Sequence, residues 1–211
     1  MIDLRCGDWR DVLADVGEVD ALICDPPYGA RTHAGQRHGR RDPRYGAQDG
    51  SNLVSNRGLG YSSWTPDDVR EFVAHWAART TGWFCALTSH DLFPHYEKAL
   101  QDAGRYVFAP LAMVQAAMNV RLGGDGPSNW TCWMVASRPK TREMQKWGAL
   151  PGAYYGKSHD AGENAFDRSK RIPGGKPRWM MSAIVRDYTR PGDLVCDPCA
   201  GMATTAIACS S

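Results

Sequence analysis

Short apolar runs rich in β-branched and aromatic residues recur along this chain, and stretches of helical period separate several of them. The runs are IDLRC (residues 2–6), VDALIC (19–24), WFCALTS (83–89), YVFAPLAMV (106–114), WTCWMVA (130–136) and DLVC (193–196). Between them, Thr65 can cap a helix that has Pro66 at its first position and Val69, Phe72, Val73 and Trp76 on one face. A second helix is expected over 93–104, stopped by Gly104. A third opens at Pro177 with Met181, Ile184, Val185 and Tyr188 as its apolar stripe, and RPGD (190–193) ends it. Strands alternating with helices predict an α/β fold with a doubly wound, mostly parallel sheet, which binds ligands beyond the carboxyl ends of its strands. The runs at 106–114 and 130–136 have no clear helix between them and are expected to pair as an antiparallel edge.

The chain of 211 residues, 43% hydrophobic and 23% charged, is long enough to bury one substantial core, so residues 1–211 read as a single domain. No apolar stretch approaches the roughly 20 residues of a membrane span, and the first residues lack signal-peptide order, which predicts a cytoplasmic protein with no membrane partner. The seven cysteines are an odd number and mostly sit in apolar runs, so disulfides are not expected. Cys196 and Cys199 form a C-x-x-C with no second Cys/His pair nearby, and no metal is assigned. A net charge of +2 gives no whole-molecule argument for a nucleic-acid partner, so local clustering has to carry it.

Two apolar runs end in Asp-Pro. The first continues as Asp25-Pro26-Pro27-Tyr28, and its prolines restrict both themselves and the residues before them, so the turn is rigid. A rigid turn can aim the Asp25 carboxylate and the Pro26 carbonyl at the two N–H bonds of a nucleobase amino group. Tyr28 can then stack on the base for about 1–3 kcal/mol, which helps offset the cost of extruding it from a helix. The same Asp-Pro-Pro is also an ordinary strand terminator. The second run, GDLVCDPCAGMATTAIA (192–208), ends in Asp197-Pro198 and enters a Gly-containing turn whose backbone N–H groups can approach an anionic group such as a carboxylate.

Together these segments resemble the amino-methyltransferases that act on DNA. CGDWRDVLADVGEVDALICDPPYG (6–29) is similar to the segment of that family in which an acid, here Asp8, contacts the cofactor adenine and the DPPY tetrad holds the target base. GGKPRWMMSAIVRDYTRPGDLVCDPCAGMATT (174–205) is similar to the cofactor half, where Lys176-Pro177 opens a helix and Asp197, Pro198, Cys199, Ala200, Gly201 and Thr204 lie in the loop that cradles the methionine part of S-adenosylmethionine. The catalytic half precedes the cofactor half, the order of the permuted beta class. The resemblance implies a Rossmann-like sheet, S-adenosylmethionine as cofactor, and methyl transfer to a flipped base in double-stranded DNA, as in restriction–modification. Adenine N6 is the expected target, because cytosine enzymes of the family more often have Ser in place of the Asp. N4-cytosine transfer and a catalytically weakened DNA-binding relative are the alternatives.

Where small residues are usual in the family loop, this chain has Cys199, Met202 and Ala203. A long segment at 30–60 carries Arg37, Arg40, Arg41 and Arg44 among glycines and is expected to pair with DNA phosphates. A second basic, aromatic segment at 140–175 occupies the place of the target-recognition region; it is short, so recognition could be shared across a homodimer. In the permuted order a further strand after TTAIACSS should carry an acid for the ribose hydroxyls. Its absence before Ser211 predicts a sheet lacking one C-terminal strand, a mobile first strand and weak cofactor binding.

Overall fold

The computed structural model describes residues 1–32, 61–116, 129–157 and 175–211. In chain order these form α1 (Trp9–Val12), β1 (Ala21–Cys24), α2 (Pro66–Trp76), β2 (Phe84–Thr88), α3 (Phe93–Asp102), β3 (Tyr106–Val107), β4 (Leu111–Ala116), β5 (Trp130–Arg138), α4 (Arg142–Gln145), β6 (Ala153–Lys157), α5 (Arg178–Tyr188), β7 (Val195–Cys196) and α6 (Thr204–Cys209). The strands make one open sheet in the order β6-β4-β5-β2-β1-β7, with β3 pairing β5 off that path.

Local chemistry explains the helices. At the start of α2 the Thr65 hydroxyl accepts from the Asp68 amide, and the Asp68 carboxylate accepts in return from the Thr65 amide at 2.7 Å. Val69, Phe72, Val73 and Trp76 then bury the predicted face. On α5, with Pro177 at its N-cap, the buried stripe is Met180, Met181, Ile184 and Tyr188.

Because strand side chains alternate, β1 and β2 feed two cores at once. Ala21, Ile23, Cys85 and Leu87 face α5 and α6 on one side, whereas Leu22, Cys24, Phe84 and Ala86 face α1, α2 and α3 on the other. Both faces are covered, and the sheet is doubly wound as expected.

Three details differ from the sequence reading. Strands β4 and β5 do pair antiparallel, Leu111 opposite Met134, but they lie inside the sheet because β5 is also antiparallel to β2 and β6 adds parallel to β4 at the edge. The run at 106–114 splits into β3 and β4 around Pro110, which has no N–H for a ladder bond. Residues 2–6 form no strand: Arg5 instead donates to the Val12 carbonyl at 2.9 Å and pairs with Asp3 and Asp15, folding this segment against the end of α1 with Ile2 and Leu4 exposed.

A buried arginine ties the helical layer to the sheet. Arg105, 5% exposed, donates to the carbonyls of Ala77, Thr80, Gly82 and Ser137 and to the Ser137 hydroxyl. Burial holds its pKa down to about 10. Arg105→Met removes every donor and leaves those carbonyls unpaired, so we expect a loss of roughly 3 kcal/mol or more. Urea denaturation measures it.

Candidate active site

Strands β1 and β7 lie side by side and parallel, Ala21 opposite Val195 and Leu22 opposite Cys196. Each runs directly into Cys-Asp-Pro, so Asp25 and Asp197 emerge at the same end of the sheet. Helix α2 packs on one face and the helix before β7 on the other, the arrangement in which doubly wound sheets bind ligands at the carboxyl ends of their strands.

The tetrad is held on all sides. Pro26 and Tyr28 are buried and Asp25 is partly exposed. The Tyr28 hydroxyl donates to Asp25 Oδ1 at 2.9 Å, and burial, aided by the Asp25 charge, pushes the phenol up so that it stays protonated. Trp64 donates its amide to the Tyr28 carbonyl at 3.0 Å, and the Gly29 amide donates to Ser89 Oγ at 3.0 Å. Gly29 leaves room for the Asp91 carboxylate, which would have to shift to admit a Cβ there. These bonds hold the turn at several points along its length.

Three further residues belong to this site. Lys176 Nζ lies 2.5 Å from Asp25 Oδ2, although the family resemblance places that residue with the cofactor. The Trp130 ring stacks on Tyr28, 5.9 Å between centroids with 8° between planes. Tyr61 has its phenol pushed up by burial and then by the Asp25 charge. Trp130 opens an aromatic strand and is legible in the sequence only as a core residue; Tyr61 carries no sequence signal.

The second Asp-Pro turn is built around its own carboxylate. Asp197 Oδ1 accepts from the Cys199 amide at 3.0 Å and Oδ2 from the Thr205 hydroxyl at 2.5 Å. Thr205 makes this bond. Burial raises Asp197 from 3.8 to about 6, the two hydrogen bonds pull it back, and Asp25 pushes it further up. The Cys199 thiol is pushed up by burial, then by the charges of Asp197, Asp25 and Asp8. Asp8 itself is the N-cap of α1 and accepts from the Arg10 amide at 2.9 Å and from the Arg10 guanidinium. Gly201 and Ala203 both adopt left-handed backbone, φ 50° and 56°, as the chain turns past Pro198 and Ala200 into α6.

Residues 125–211 match the DNA methylase family. That match takes in β5, Lys176 and Pro177, α5 and the Asp197 loop, and leaves the tetrad outside it. The fold agrees with solved methylases. The chain superposes on M1.HpyAVI with a TM-score of 0.63 at 18% identity, covering 100% of this chain and 87% of that one. The M1.HpyAVI–SAM complex gives 0.62 at 18%, covering 97% and 84%. TTHA0409 of Thermus thermophilus, described as a candidate DNA modification methylase, gives 0.51 at 17%, covering 97% and 82%. No curated protein sequence matches. The family match takes in less than half of the chain, and the likeness to the solved methylases shows the shared fold.

Arg37, Arg40, Arg41 and Arg44, with most of the 30–60 segment and residues 158–174, lie outside the described residues. Among the described residues no group of His, Cys, Asp and Glu could hold a metal ion, and no helix is long and apolar enough to cross a membrane.

Two outcomes follow for the Asp197 turn. Ala203→Gly removes the Cβ from a left-handed position that costs an L-residue about 1–2 kcal/mol, partly offset by the freer unfolded chain, so a net gain of about 0.5–1 kcal/mol is expected in chemical denaturation. Because the folded state holds the extra proton on Asp197, stability falls as pH rises from 3.8 to about 6. Asp197→Asn, which can keep both hydrogen bonds, should lack this loss; melting curves across the same window should show the variant gaining on the wild type.

Proposed function

We propose that this protein transfers a methyl group from S-adenosylmethionine to the exocyclic amino nitrogen of a base in double-stranded DNA, adenine N6 in first place. The observation that carries the reading is the pair of Asp-Pro turns at the ends of adjacent parallel strands, one with a stacked aromatic platform and one built as a tight loop.

The residues present fit the cofactor. The Asp197 loop offers a tight, partly buried turn, and Asp8 supplies a further carboxylate close by. When bound there, S-adenosylmethionine supplies an electrophilic methyl on a cationic sulfur, a charge that the surrounding carboxylates favour. On the other side of the crevice Asp25 accepts one N–H of the amino group, and the Pro26 carbonyl is the natural acceptor for the second. Tyr28 takes up Asp25 Oδ1, so Oδ2 is the oxygen that meets the base. Holding both hydrogens localises the nitrogen lone pair and aligns it for in-line attack, and Asp25 stabilises the positive charge that develops on nitrogen. The proton leaves after transfer. Tyr28, fixed through its hydroxyl, keeps the base plane in register. Arg37, Arg40, Arg41 and Arg44 are the proposed phosphate contacts.

Ala203 in a left-handed turn and the bulky, exposed Met202 favour a second reading, a DNA-binding relative with weakened transfer. A methyl-transfer assay with labelled cofactor on unmethylated DNA, followed by nucleoside analysis, separates the two and names the base. N6-methyladenine is the expected product; N4-methylcytosine reassigns the base, and no incorporation at high cofactor concentration supports the weakened relative. Asp25→Ala should lower the rate by roughly 10²–10³-fold while the circular dichroism spectrum stays that of the wild type.

A further inference from the structure

Lys176 lies just before the N-cap of α5, 151 residues from Asp25 in the chain, yet its side chain is only 7% exposed and its ammonium is 2.5 Å from Asp25 Oδ2. The same Nζ sits 4.9 Å from the Tyr28 ring centroid and 5.0 Å from that of Trp130, near the centre of the platform those stacked rings form. An ammonium here has the two properties required of the target amino group during transfer. It donates N–H to Asp25, and it places positive charge against aromatic faces.

We infer that Lys176 is a specificity-determining residue: its ammonium stands in for the target amino group and has to be exchanged for it. This inference rests on the base-methylating reading above. In the absence of a base the ammonium keeps the partly buried Asp25 carboxylate paired, and an unpaired charge in that position is costly. A base that displaces it loses the ion pair and recovers the loss only by giving Asp25 a new N–H donor. Adenine and cytosine carry an exocyclic amino group that can do so. Thymine has a carbonyl oxygen in the corresponding place, so its arrival would leave Asp25 facing another acceptor. A site that rejects a ligand by stranding a buried polar group discriminates far more strongly than one that relies on shape. Lys176 thus sets a threshold that only amino-bearing bases pass. Methionine at this position would match the lysine in length and apolar stem, but it would neither pair with Asp25 nor need to be displaced.

The test uses protein with isotope-labelled lysine, the Lys176 side-chain signal being identified by its loss in Lys176→Met. The methylene next to Nζ lies near two aromatic rings, so its resonance is displaced from the ordinary lysine position. Deoxyadenosine or deoxycytidine should return it to that position, and thymidine should not. Lys176→Met should bind the two amino nucleosides about tenfold more tightly than the wild type, the size expected from removing one charge-assisted competitor. Amino nucleosides that bind while the Lys176 resonance stays in place would overturn the inference, as would a Lys176→Met protein that binds them no more tightly. Failure of the base-site reading itself looks different: neither protein binds any nucleoside.

Discussion

Strand β1 is the member on which the rest of this architecture depends. It is only four residues long and wholly buried, yet it pairs in parallel on both edges, with β2 through Leu22–Phe84, Ile23–Cys85 and Cys24–Ala86 and with β7 through Ala21–Val195 and Leu22–Cys196. Its alternate side chains face two separate helical layers. Because neighbouring parallel strands end at the same side of a sheet, this double pairing brings residues 25 and 197 to one crevice. No other pairing of β1 would set the two Asp-Pro turns next to each other.

Charge arrangement follows from that placement. Burial, with a smaller push from the Asp25 charge, leaves Asp197 raised to about 6. Lys176 is the cation that the chain supplies on the tetrad side, and Arg10 the one beside Asp8. A crevice rich in carboxylates suits a cationic cofactor and a nitrogen that becomes cationic. It also explains why the chain keeps an ammonium against Asp25 when neither is present. On the opposite end of the sheet, Arg105 works through carbonyls and one hydroxyl among the described residues, which makes it a structural tie.

Much of this was legible in residue order. The α2 cap, the stripe of α5, the strands at 83–89 and 130–136 and both Asp-Pro turns could be read from local patterns, because capping, periodicity and proline geometry act over a few residues. The strand β6 escaped notice because AYYGK is short and lies in a segment rich in turn residues; its Gly156 makes room for Trp179, a contact that no local rule anticipates. The interior position of β5 escaped for a similar reason, since strand order is decided by which hydrophobic faces find each other.

The sequence by itself determined the chemistry at each turn: a carboxylate, two prolines and an aromatic at 25–28, and an acid, a proline and a glycine at 197–201. Covalent order and backbone sterics are enough for that. Only the tertiary structure decided who faces whom. It took Lys176 from the cofactor half to Asp25, stacked Trp130 on Tyr28, and brought the Thr205 hydroxyl to Asp197. Those partners lie apart in sequence, and pairings of that kind are set by packing of the two layers against the sheet, which no residue pattern encodes locally.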